Sequence, residues 1–149
     1  AMIHCTDLNC DPVSVPFPDK ATEQIGKMLA TADILAQMAD RTYLEKLLFL
    51  FYELDEARIQ DYQDELDLMH QSKEFYIRMA DRFESQLSSS NRFMVHHFKA
   101  RWKIDEDLYQ RAINNQRAYL TTILTAGGDD PRDQLRRSRI VEAVKQKYS

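Results

Sequence analysis

A chain of 149 residues with 44% hydrophobic and 30% charged content, but only three Gly and four Pro, has the make-up of a globular helical domain and excludes disordered, collagen-like and fibrous classes. A formal net charge of -4 and a pI near 5.6 give no general attraction to nucleic acid or to anionic membranes, so neither is expected as a partner. No stretch reaches the roughly 18 apolar residues of a membrane span, and no signal-peptide pattern opens the chain, which makes a cytoplasmic home the expectation.

Residues 1–19 carry Cys5, Cys10, Pro12, Pro16 and Pro18. They read as an extended lead-in, because proline has no amide donor and biases the residue before it away from helix. His4, Cys5 and Cys10 are three possible ligands close together, but structural zinc takes four ligands with paired short spacings, so inert thiols are expected. Ala1 before Met2 reads as a cloning remnant, which fits a chain cut from a longer protein.

A first helix is expected after Pro18, with Asp19 as N-cap and Ile25, Met28, Leu29, Ala32, Leu35 and Ala39 as its apolar positions. Thr42 to Glu45 reads as a capping box, which puts a break near Arg41 and a second helix from Tyr43 to about Ala57. Its stretch LLFLFY, residues 47–52, is apolar all the way round and has to be buried. The acidic stretch 58–65 is the expected connection to a third helix over 63–87, with Leu68, Phe75, Tyr76, Met79, Phe83 and Leu87 on one stripe.

Ser88 to Asn91 end that helix. A fourth then carries Phe93, Met94, His97, Phe98 and Trp102, with His97 on the inward side, and a fifth carries Leu108, Tyr109, Ala112, Ile113, Tyr119, Leu120 and Ile123 behind an Asp105 N-cap. Gly127-Gly128 is a stop and Asp130-Pro131 a restart. Residues 131–147 then form a short basic amphipathic helix, with Val141, Val144 and Tyr148 on one side, expected as a solvated, partly mobile tail. The sequence therefore predicts an all-α fold of five main helices plus a short C-terminal one. Its parts are the lead-in 1–19, a helical domain 20–126, and a Gly-Gly linker with tail helix 127–149.

Two carboxylates stand out as candidate metal ligands. On a continuous helix Asp33 and Asp40 lie on nearly one face, but about 10 Å apart along the axis, so at most one can serve a given ion. An unpaired carboxylate at Asp33, between Ala32 and Ile34, would be costly to bury. Asp40 has Arg41 beside it and the expected helix junction after it. Asp67-x-x-His70 has the spacing of dimetal bundles without the second pair those sites need, and of His96-His97 only one can face a core.

The segment TADILAQMADRTYLEK, residues 31–46, resembles bacterial proteins of the HD superfamily of metal-dependent phosphohydrolases, in the part that follows their His and His-Asp ligands. The similarity continues through VHHFKARWKIDEDLY, residues 95–109, and AYL, residues 118–120. The resemblance implies that a last Asp, in an Ala-Asp context, completes a site built from a His and a His-Asp pair; Asp33 and Asp40 both follow an Ala. It also implies a divalent ion (Mn, Mg, Fe or Zn) in the intact protein and an upstream HD domain as partner. No His-Asp dipeptide occurs in these residues, so the expectation is the C-terminal helical portion of such an enzyme, without metal or activity by itself.

The alternative is a non-catalytic helical interaction or oligomerisation module. A homo-oligomer is then expected through an uncovered face of the first two helices, with Tyr43, Leu47, Phe51 and Leu54 on it.

Overall fold

The computed structural model describes residues 1–59, 62–125, 130–135 and 137–148. Among them there is no strand, and the fold is all α. Helices α1 (Lys20–Met38), α2 (Tyr43–Glu56), α3 (Glu65–Ser85), α4 (Met94–Trp102) and α5 (Leu108–Thr125) are followed by the short α6 (Ile140–Tyr148). Gly127-Gly128 lies outside the described residues.

Local chemistry accounts for most of the boundaries. The Asp19 carboxylate accepts from Thr22 N–H at 2.7 Å and starts α1, satisfying one of the orphan donors of a first turn. Asp64 does the same for α3 through Asp67 N–H at 2.8 Å. Ser88 and Ser89 take left-handed backbone angles, φ 55° and 53°, which no continuing helix tolerates. Helix α5 is capped by Asp107, which accepts from Gln110 N–H at 3.0 Å, and not by the expected Asp105, which pairs with Lys99. After Asp130 the chain restarts with Pro131 at the first position of a 3-10 turn, Pro131–Gln134.

The chain forms two compact units, each made of two stretches. The first comprises residues 1–39 and 76–111. Its lead-in is not extended: 3-10 turns at Met2–Thr6 and Pro12–Ser14 fold it back, the first packing on α1. One buried side chain organises this segment. The Arg82 guanidinium donates to the carbonyls of Leu8, Cys5, Asp7 and Cys10 at 3.0–3.2 Å, so a charge that is only 6% exposed is solvated by main chain instead of water. Gly26 makes the approach possible, since a Cβ there would stand 3.1 Å from both Cys5 Sγ and the Phe17 ring.

That close approach decides which side of α1 is inside. The buried residues are Gly26, Ala30, Thr31, Ile34, Leu35 and Met38. Of the expected apolar positions only Leu35 is buried; Ile25, Met28 and Leu29 are 56%, 42% and 42% exposed. The first half of the inner face is made of small residues, Gly26, Ala30 and Thr31, where the lead-in comes close. In α4 the inward residue is Phe98, packed on Trp102 and Tyr109, while His97 is exposed.

The second unit comprises residues 40–75 and 112–149. Leu44, Leu47 and Leu48 of α2, Leu68 and Met69 of α3, Ile113, Leu120 and Ile123 of α5, and Val141 and Val144 of α6 are buried. The tail is therefore packed rather than solvated: α6 lies on α2, and the Tyr148 ring stacks on Tyr52 with centroids 3.9 Å apart. The residues expected on an oligomer face of α2 are at most half-exposed. Leu47 is buried, and Tyr43, Phe51 and Leu54 are half-buried. Of the exposed large hydrophobic side chains described, only Leu50 and Ile59 belong to this unit.

Candidate functional site

The two sequence-singled acids have different fates. Asp33 is half-buried on α1, within the first unit, and receives no hydrogen bond or ion pair from the described residues. Asp40 belongs to the second unit and is fully engaged. One carboxylate oxygen accepts from Thr42 N–H at 2.8 Å and from the Thr42 hydroxyl at 2.9 Å; the other is paired with Lys46. Burial pushes the Asp40 carboxyl up, but the bonds from Lys46 and Thr42 together outweigh it and hold the pKa below its ordinary value. Asp40 thus replaces the expected capping box, since the Thr42 side chain makes no cap of its own.

The remaining donors do not gather. Asp67 accepts from Gln63 N–H at 3.0 Å and from Gln71 at 3.1 Å, and the Gln63 bond leads in lowering its pKa, while His70 is exposed. Cys5 is buried, which pushes its thiol pKa up and away from reactivity. Among the described residues no three His, Cys, Asp or Glu side chains stand together.

What the sequence did not signal is a pair of buried glutamates in the second unit, each met by an arginine of the tail. Glu45 is 0% exposed, on the same face as Leu44 and Leu48. Its Oε1 accepts from Arg137 N–H at 3.3 Å, with the Arg137 Nε at 4.0 Å, while Oε2 receives no hydrogen bond from the described residues. The Arg137 guanidinium donates to Arg41 O at 2.7 Å and Gln116 Oε1 at 2.8 Å and lies 4.3 Å over the Tyr119 ring. Gln116 in turn donates to Asp40 O at 2.6 Å.

The second glutamate, Glu65, is paired with Arg132 at 2.7 Å. It also accepts from the Tyr52 hydroxyl, and that bond leads in pushing the tyrosine pKa up to about 12. A cleft of about 140 Å³ beside it is lined by Leu48, Tyr52, Glu65, Arg132, Val144 and Tyr148. Every charge in it is already matched, since Arg132 also pairs with Asp130. Chemically this is a clamp holding the tail.

The feature left without a counterpart is the outer side of α1. Ala21, Ile25, Met28, Leu29, Ala32 and Ala36 are all exposed there, opposite the buried face, and Asp33 borders the stripe. A helix apolar on both sides normally has both covered.

No curated protein and no solved structure matches this chain. The Npun_R2479-like family model matches residues 2–118. That span takes in all but the first residue of the lead-in and all of α1 to α4, and the chain belongs to the Npun_R2479-like family.

Proposed function

We propose that the chain is a helical docking module, and that it stands to HD-type metal-dependent phosphohydrolases as their C-terminal helical portion, with no hydrolytic activity of its own. The observation that carries the docking reading is α1, apolar on its inner and outer sides alike, with Ile25, Met28 and Leu29 presented to solvent. Covering such side chains contributes roughly 25 cal/mol per Å² of apolar surface, which is the driving force for a partner. The relation to the HD superfamily rests on the resemblance of residues 31–46, 95–109 and 118–120. Within that relation Asp33, whose carboxylate is unbonded, is the acid left to serve an incoming group, and Asp40 is the structural one.

Two measurements test this. The isolated chain, given Mn²⁺ or Mg²⁺ and a generic phosphodiester, is expected to show no turnover above a metal-only blank; turnover abolished by joint Asp33→Ala and Asp40→Ala substitution would refute the non-catalytic half. An environment-sensitive apolar dye should bind the wild type and lose most of its signal with Leu29→Lys. Dye binding indifferent to that change would refute the docking half.

A further inference from the structure

The outer stripe of α1 has an internal symmetry. Its members Ala21, Ile25, Met28, Leu29, Ala32 and Ala36 are spaced 4, 3, 1, 3 and 4 residues apart, a series that is the same in either direction. We infer that this stripe pairs with the stripe of a second copy of the chain, the two α1 helices running antiparallel about a two-fold axis that passes between Met28 and Leu29. The inference rests on the docking-module reading and names its partner.

Reversal about that point sets Ala21 against Ala36, Ile25 against Ala32, and Met28 against Leu29 of the other copy. Ile25 then meets a small side chain, and Leu29 meets the unbranched, adaptable Met28, as interdigitation requires. A two-fold contact needs a surface complementary to itself, and most apolar stripes, being irregular, are not. No charged side chain lies on this one. Asp33 borders it, and the two copies of Asp33 come to lie nine residues apart in height, about 13 Å along the axis, where solvent screens their repulsion. The antiparallel arrangement also sets the two helix dipoles in opposition. The seam runs from Ala21 to Ala36, about 22 Å, at the small end of specific interfaces, so a dissociation constant on the order of 10–100 μM is expected.

Sedimentation equilibrium of the full chain tests this. The mass should rise from 17.5 kDa toward twice that value as concentration passes through the range on the order of 10–500 μM. Leu29→Lys and Met28→Lys, both at exposed positions, should keep the helical circular dichroism and weaken association at least about tenfold. In a Cys10→Ser background, Ile25→Cys combined with Ala32→Cys should cross-link two copies on mild oxidation, while either cysteine alone should not. A dimer indifferent to both lysine substitutions, or cross-linked equally well by a single cysteine, would overturn the surface or its orientation. A chain that stays monomeric while its dye signal depends on Leu29 would overturn the second copy as partner and leave the docking reading standing. A monomer without that dependence overturns both.

Discussion

Arg137 and Glu45, 92 positions apart in sequence, meet at a hydrogen bond of 3.3 Å from the arginine main-chain N–H to a carboxylate with no solvent exposure. The side chain of Arg137 adds the only nearby positive charge among the described contacts of Glu45, and it ties the tail to Arg41 and Gln116. Buried ion pairs are often no more stabilising than an apolar substitute, but removing one partner leaves the other uncompensated. Arg137→Ala should therefore lower the unfolding free energy by about 2–3 kcal/mol. Glu45→Gln keeps the shape and removes the charge, and should cost less. Urea denaturation monitored by circular dichroism separates the two, and a larger loss for Glu45→Gln would contradict the asymmetry.

Arg82 anchors the lead-in through four carbonyls. A lysine can supply charge but not a planar fork with several donors in fixed directions. Arg82→Lys is thus expected to destabilise by about 1–3 kcal/mol, with amide exchange rising first in residues 5–10. Unchanged protection of those amides would show that the packing of Cys5 alone holds the segment.

The two candidate acids differ by what they are bonded to, and single substitutions should show it. Asp40→Asn loses the Lys46 ion pair and part of the Thr42 capping, a cost of about 1 kcal/mol. Asp33→Asn, with no partner to lose among the described residues, should stay within about 0.5 kcal/mol of wild type. Equal melting temperatures for the two variants would contradict the assignment.

Asp130 supplies a pH dependence. Its side-chain bond from Arg132 leads in holding the carboxyl below the ordinary aspartate value. Depressed in the folded state, it binds its proton more weakly there than in the unfolded chain. Its stabilisation is accordingly complete above the unfolded value, near pH 4, and lost as pH falls through the lower folded value. The stability difference between wild type and Asp130→Asn should be flat from pH 7 to about 5 and shrink toward zero below about 4. A difference that persists at pH 2 would mean that the contribution is not ionic.

Periodicity and capping chemistry alone determined that this chain is helical and where most helices begin and end. Asp19, the serines at 88–89 and Pro131 act on backbone groups within a turn of themselves, so their effect is readable from the residues next to them. The stripe of α3 was legible for the same reason, because its other face is polar. Helix α1 was not. With apolar residues on both sides, periodicity offers two equivalent faces, and only the close approach of Cys5 and Phe17 at Gly26 chose between them. The candidate acids divided likewise: sequence brought out both Asp33 and Asp40, and the bonds from Thr42 and Lys46 committed one of them. The partners of Glu45, Arg82 and Arg137 lay beyond sequence. A charged side chain is buried only where partners distant in the chain satisfy it, and that condition exists only once the chain has folded.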